Sequence, residues 1–484
     1  MAYQSDQTQT LLWHDYETFG LDPRWDRPSQ FAAIRTDLNF NPIGEPMMWY
    51  CQPADDYLPS AGACLVTGVT PQKALQEGLP EVEFMARINE QMSQPGTCSL
   101  GYNSLRFDDE FTRFGLYRNL FDAYGREWQG GNSRWDLIDL VRTASSIRSE
   151  GINWPKNEAG EIVLKLDQLA PANGIEHADA HDALADVRAT IELARLLKQA
   201  QPRLYNYVFQ LKHKAQVWGQ LDLTMRKPVL HVASIYGRKK GYLSLVGAFA
   251  KHPTNNNGVL VFDLRQDPRQ WRGYSSAQLQ ELLFTNKKQL PEGAVRPAIS
   301  EIQVNKCPVV APLQTLADDK AGEFGLNKNS CQNHLNYLQQ DPELCNALVD
   351  AFANRPGFAE VDVDGGLYGG GFFSDKDRGL MNKVHQHGPE TWLQDNFAFA
   401  DSRLGEMLFR LKARNYPQEL TEQEAQRWED FRSQRLLDPS VSGARTYDQF
   451  AKELNDLAKT TTEPDKIAVL EELHMYAESI YPMV

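Results

Sequence analysis

Residues 11–18 read Leu-Leu-Trp-His-Asp-Tyr-Glu-Thr, an apolar start followed by two carboxylates two positions apart. In a strand, the period of two puts Asp15 and Glu17 on one face and turns Tyr16 to the other, into the packing of a sheet. Two acids converging from one face repel each other unless something cationic sits between them. A hard divalent cation, which takes oxygen ligands, is the simplest candidate. Taken alone, the same pattern also fits a strand end with two solvated acids, so the rest of the chain has to decide.

At 484 residues the chain has room for two to four domains. The net charge of −14 argues against a protein that coats nucleic acid with its whole surface, but it leaves room for a local basic channel. No stretch approaches the roughly 20 apolar residues of a membrane span. The opening residues, Met1 to Thr10, are polar and carry no signal pattern, so a cytoplasmic protein is expected. The six cysteines are scattered without a C-x-x-C pair, which predicts reduced, buried thiols rather than disulfides or structural zinc.

Along residues 11–201 strands and helices alternate. Phe31 to Thr36 and Met47 to Cys51 read as strands that continue the first in a meander. Thr70-Pro71 caps and opens a helix, Pro80 to Met92 is helical, and Cys98 to Tyr102 is a short strand. Asp108 and Asp109 fall where a strand-exit loop enters a helix, a position that also suits acids favoured by the helix dipole. Arg134 to Arg142 reads as a helix whose acids cap it or are solvated. Leu166 to Ala172 is a short helix closed by Asn173-Gly174. His181 and Asp186 lie at the start of a long helix with an Ala/Leu stripe (Ala183, Leu184, Val187, Ile191, Ala194, Leu197).

Gln201-Pro202 marks a boundary. Residues 201–243 then hold eight Lys or Arg against one acid, with aromatics interleaved (Tyr205, Tyr207, Phe209, Trp218, Tyr236, Tyr242). This suits a phosphate backbone with stacked bases, and equally a solvated basic face over core aromatics. Strands are expected at Val229–Ile235, Tyr242–Phe249, Gly258–Leu264 and Glu301–Val304, forming a small β-rich domain. Asp341 to Phe352 is helical. The glycine-rich stretch from Pro356 to Gly371 lacks the Lys-Ser/Thr of a phosphate-binding loop, and the chain from Phe372 onward is charged and helical.

Three motifs stand out within one α/β unit: Asp15-x-Glu17, Asn103-x-x-x-Phe107-Asp108, and His181 with Asp186. In this order they resemble the DEDD superfamily of 3′→5′ exonucleases, His subtype. His14 to Gly20, Asp26-Arg27-Pro28, Gln30 to Asp37, Gly151 to Pro155, Ala172 to His177 and Asn305 to Pro308 resemble the bacterial exonuclease I family in particular. The resemblance covers nearly the whole chain. It implies an α/β, ribonuclease H-like exonuclease domain (1–201), an SH3-like β-barrel domain (202–354) and a C-terminal helical domain (355–484).

The implied activity is processive 3′→5′ hydrolysis of single-stranded DNA to 5′-mononucleotides in DNA repair, by a monomer. The implied cofactor is two Mg²⁺ ions, with Mn²⁺ able to substitute, and such a pair activates the attacking water and stabilises the leaving oxygen. Asp15 is expected to bridge the metals, Glu17 and Asp186 to complete the site of the water-activating one, Asp108 to hold the second, and His181 to act as general base. Other readings are a non-catalytic scaffold that binds single-stranded DNA, or an RNA-trimming exonuclease.

The resemblance also places DNA contacts at Glu17, Arg113, Tyr124, Trp128, Arg142, Lys165, Lys214, Asn257 and Tyr368. Lys165 replaces an arginine of the family, keeping the charge but losing the two-pronged donor geometry. Arg148, Tyr207 and Lys227 are expected in a pocket for the acidic C-terminal tail of single-stranded DNA-binding protein. Ala317 stands there in place of an arginine.

Overall fold

The computed structural model describes residues 9–177, 182–354, 362–392, 397–441 and 443–482. The chain divides into two compact units. One comprises Met1–Ser133, His177–Arg188 and Phe358–Val484, and the other Arg134–Glu176 and Ala189–Gly357.

In the first unit the strands run β3-β2-β1-β4. β1 (Thr10–Thr18), β2 (Pro28–Thr36) and β3 (Met47–Tyr50) form the expected antiparallel meander. β4 (Thr97–Gly101) adds to β1 in parallel, with Thr10 opposite Thr97 and Trp13 opposite Leu100. Helix Pro71–Glu77 is capped by the Thr70 hydroxyl, as its sequence predicts.

The even face of β1, which carries Leu12, His14 and Tyr16, is buried. Leu12 and Tyr16 share one core with Phe31, Phe84, Ile88 and Phe114, and with Met381, Leu404, Met407 and Leu411 of the C-terminal helices. A second core joins Phe19, Tyr57 and Leu58 to Phe450, Leu473 and Tyr476. Segments more than three hundred residues apart therefore bury their apolar faces against each other, which is why they cluster as one unit.

A buried ionic network runs through this unit. Arg414 donates to Asp56 at 2.7 Å and to Asp364 at 2.6 and 3.0 Å. Arg410 reaches Asp362 at 2.6 Å and Asp364 at 3.3 Å, and Arg435 lies 3.6 Å from Asp364. Nearby, Arg118 pairs with Glu81 at 2.7 Å.

Residues Arg134–Arg142 differ from the sequence expectation of a single helix. Ser133–Asp136 is a strand, β5, and the helix is Leu137–Ile147, capped by the Asp136 carboxylate on the Ile138 N–H at 3.1 Å. Asp136 capping its own helix stops that helix from extending backwards, and Trp135 before it favours a strand. Asp139 pairs with Arg142.

The second unit carries an antiparallel sheet of order β10-β6-β7-β8-β9. Its strands are β6 (Val229–Val232), β7 (Leu243–Lys251), β8 (Gly258–Asp263), β9 (Ile299–Gln303) and β10 (Val309–Pro312). Of the aromatics in residues 201–243, two are core and Tyr207, Phe209, Trp218 and Tyr242 are half-buried. Tyr205 and Tyr236 are buried, and the Phe209 ring meets the buried Trp135 edge-on at 5.1 Å.

All six cysteines are buried free thiols. Burial pushes Cys64 up to about 12 and Cys331 and Cys345 to about 11. Among the described residues no helix is long and apolar enough to cross a membrane.

Candidate active site and nucleic-acid interface

β1 delivers the first two acids, with Asp15 opposite Ala32 and Glu17 opposite Gln30 in the ladder. The register shifts after Glu17, where the Thr18 hydroxyl donates to the Gly20 carbonyl at 2.7 Å. Glycine is required at position 20, since a Cβ would sit 2.2 Å from the Asp26 carboxylate. That carboxylate accepts from the Asp22 N–H at 2.9 Å and the Tyr57 hydroxyl at 2.8 Å. The strand thus ends in a fixed turn directly after its second acid.

Asp108 opens helix Asp108–Arg118 and accepts the Tyr16 backbone N–H at 3.0 Å. Tyr16 itself points to the opposite face, where its hydroxyl and that of Thr112 lie 3.0 Å apart, and Thr112 donates to the Asp108 carbonyl at 2.9 Å. The neighbouring Asp109 is structural, paired with buried Arg126 at 2.8 Å. Asp186 lies in the first turn of helix Ala183–Ala200, whose start is capped by Asp182 on the Ala185 N–H at 3.0 Å.

One oxygen from each of Asp15, Glu17 and Asp186 lies within 4.8 Å of the others. The electrostatics follow from this crowding. Burial, then Asp108, Asp186, Glu17 and Asp182, push the Asp15 carboxyl well above its usual range. Burial, then Asp186, Asp108 and Asp182, raise Glu17 to about 8. Carboxylates that repel one another this strongly fit a hard divalent cation, which would displace the protons this site otherwise holds near neutral pH.

His181 lies outside the described residues. His177, which sequence patterning did not single out as a site residue, hydrogen-bonds through Nε2 to the Asp186 carboxylate, while its buried Nδ1 has no hydrogen-bond partner among the described residues. Asp182 was also missed, although its place one residue before the helix marks it as a cap.

The positions expected to touch DNA divide between the two units. In the first, Trp128 is 64% and Tyr368 48% exposed, whereas Arg113 is 4% exposed. Tyr368 sits on a loop braced by Arg403, which donates to the Gly366 and Gly370 carbonyls at 2.9 and 3.1 Å. A Cβ on Gly370 would meet that guanidinium at 2.1 Å. In the second unit Lys214 donates to Asn257 at 3.0 Å, so two expected contacts meet. Lys165 is exposed at the start of helix Leu166–Ala172, and Arg142 pairs with Asp139 at 2.5 Å. Arg148 and Tyr207 converge on one segment, donating to the Thr315 carbonyl at 3.4 Å and the Val310 carbonyl at 2.7 Å, and Lys227 is exposed.

The chain is 43% identical over 482 residues to exodeoxyribonuclease I of Escherichia coli K12, covering 99% of this chain and all of that one. It belongs to the exonuclease I family. Three family descriptions match in series: an exonuclease at residues 12–194, an exonuclease I SH3-like domain at 212–354 and an exonuclease I C-terminal domain at 361–480.

Solved exonuclease I structures agree. A complex of the E. coli enzyme with a dA16 oligonucleotide superimposes with a TM-score of 0.92 at 43% identity, over 98% of this chain and 100% of that one. A zinc-bound complex of the E. coli enzyme with single-stranded DNA gives 0.92 at 42% over the same shares. An SSB/exonuclease I structure gives 0.90 at 41%, again over 98% and 100%. The exonuclease I fold of a ribonuclease H-like domain, an SH3-like domain and C-terminal helices is therefore the fold of this chain.

Proposed function

We propose that this chain is a processive 3′→5′ exodeoxyribonuclease specific for single-stranded DNA, hydrolysing with two Mg²⁺ ions and releasing 5′-mononucleotides. The observation that carries this reading is the convergence of Asp15, Glu17 and Asp186 from two separate elements, with Asp108 adjoining. A scaffold has no use for carboxylates held this close at the expense of mutual repulsion.

Asp15, Glu17 and Asp186, with Asp108 anchored beside them by the Tyr16 N–H, would hold the metal ions. Metal held there would supply an activated water and neutralise charge on the leaving oxygen. His177 steadies the Asp186 carboxylate. His181 would take the proton of the attacking water as general base.

Trp128, Tyr124 and Tyr368 receive bases, and Lys165, Lys214 and Arg142 receive the backbone. The relatives crystallised with oligonucleotides support this substrate, and the SSB/exonuclease I structure supports single-stranded DNA-binding protein as a partner; Arg148, Tyr207 and Lys227 are assigned to its acidic tail by the resemblance. The reading extends to three domains (1–201, 202–354, 355–484) and to a monomer working in the cytoplasm, where reducing conditions suit six buried thiols.

Matched DNA and RNA strands labelled at either end test it. In Mg²⁺ the 3′ label of single-stranded DNA leaves first as mononucleotide, RNA persists, and EDTA stops the reaction. Binding without digestion would indicate a scaffold, and preferential loss of RNA an RNA trimmer.

A further inference from the structure

We propose that Arg113 is a positioning residue that holds Tyr124 and Tyr368 as stacking platforms for bases, and that it does not contact phosphate. The proposal rests on the reading that the chain binds single-stranded DNA. It assigns Glu110 and Glu127 to the same device.

The geometry is that of a hub. Arg113 Nε and Nη2 donate to both oxygens of Glu127 at 2.7 and 3.0 Å. Nη1 donates to Glu110 at 2.9 Å and to the Tyr368 hydroxyl at 3.1 Å. The Tyr368 hydroxyl in turn donates to Glu110. The guanidinium carbon lies 5.5 Å from the centre of the Tyr124 ring, in cation–π range. Nearly the whole donor fork is committed, and the side chain is only 4% exposed.

Prior pairing argues against the phosphate role. Glu110 and Glu127 already neutralise this guanidinium, and Glu127 is shared with Arg126 at 3.9 Å. Bidentate pairing with Glu127 also uses the geometry that would otherwise clasp a phosphate.

The rings are placed to receive bases. Tyr368 is held at its hydroxyl by Arg113 and Glu110 and at its ring by the edge of Phe114 at 5.5 Å, leaving 48% of the residue exposed. Burial pushes its phenol up, which keeps it a proton donor to Glu110. Tyr124 abuts Phe372 at 5.5 Å, and Phe372 is 84% exposed. Base stacking on an aromatic is worth about 1–3 kcal/mol, and a ring fixed beforehand does not lose rotamer freedom on binding.

The test measures binding of a dA oligonucleotide carrying one 2-aminopurine at successive positions from the 3′ end, without divalent metal so that nothing is cleaved. The main variant is the pair Arg113→Met with Glu127→Gln, which preserves the local net charge. Tyr368→Phe, which removes only the clamped hydroxyl, covers the case in which the pair fails to fold. Tyr124→Leu and Tyr368→Leu mark which positions each ring quenches.

The expected result for the pair is about tenfold weaker binding, loss of quenching at the positions marked by the two leucine variants, and an unchanged salt slope. Tyr368→Phe loses quenching at the Tyr368 position alone. A slope reduced by about 0.7, the share of one single-strand phosphate contact, with quenching intact would overturn the proposal, as would full quenching in Tyr368→Phe. Failure of the unmutated chain to bind the oligonucleotide would instead remove the single-stranded DNA reading and the proposal with it.

Discussion

Asp15→Asn lowers the single-turnover rate of DNA hydrolysis by at least about 10³-fold, while single-stranded DNA still binds in EDTA. Four other carboxylates, Asp108, Asp186, Glu17 and Asp182, act on Asp15 at once. Removing its charge relieves that repulsion, so the metal-free variant melts above the unmutated protein in EDTA. The variant also loses the rise in melting temperature that Mg²⁺ gives the unmutated chain, because binding to the folded state alone is what produces such a rise. Quenched-flow kinetics and thermal unfolding with and without Mg²⁺ read both effects. An unchanged rate in Asp15→Asn would remove it as a metal ligand.

The second large effect is structural. Arg414→Leu destabilises the protein by about 3–5 kcal/mol at neutral pH, the usual cost of stripping one partner from a buried ion pair. Asp56 and Asp364 have side chains 0% and 2% exposed, and Arg414 bonds to both. Burial alone would raise the Asp56 carboxyl. The guanidiniums of Arg414, Arg435 and Arg27 outweigh it and hold the group well below the usual carboxylate range, and Asp364 is held down in the same way, chiefly by Arg414 against burial.

The sign of the pH dependence follows. A carboxyl whose folded pKa is depressed contributes stability that is complete above its unfolded value, about 3.9, and lost as pH falls through the folded value. The gap between the two proteins in urea midpoint is therefore wide at pH 7 and narrows below pH 4. A gap that stayed constant with pH would mean that Arg414 acts through packing alone. Asp364 lies four residues before Tyr368 on the same loop, so the network also fixes the foundation of a stacking ring.

The strand that carries Asp15 and Glu17 was legible because a period of two sorts its faces without reference to anything else. Asp108 was legible as a junction acid, but its partner, the Tyr16 N–H, lies 92 residues away. Local pattern alone did not separate Asp108 from Asp109; the family motif singled out Asp108, and in the fold Asp108 accepts from Tyr16 while Asp109 pairs with Arg126. The helix expected across Arg134–Arg142 failed because Asp136 caps the helix that follows instead of lying inside it.

Arg113 shows the limit most clearly. The resemblance places it at the DNA, and its bonds to Glu127 and Tyr368, 14 and 255 residues away, are announced by no local pattern. The basic stretch at 201–243 left two readings open. Tyr205 and Phe209 pack with Trp135, as a basic face over core aromatics would have them.

Anomalous scattering from crystals soaked in Mn²⁺ tests the metal centre most directly. The expected result is a strong peak held jointly by Asp15, Glu17 and Asp186, absent from Asp15→Asn crystals. No peak at these carboxylates, in a protein that digests single-stranded DNA in the same Mn²⁺ solution, would contradict it.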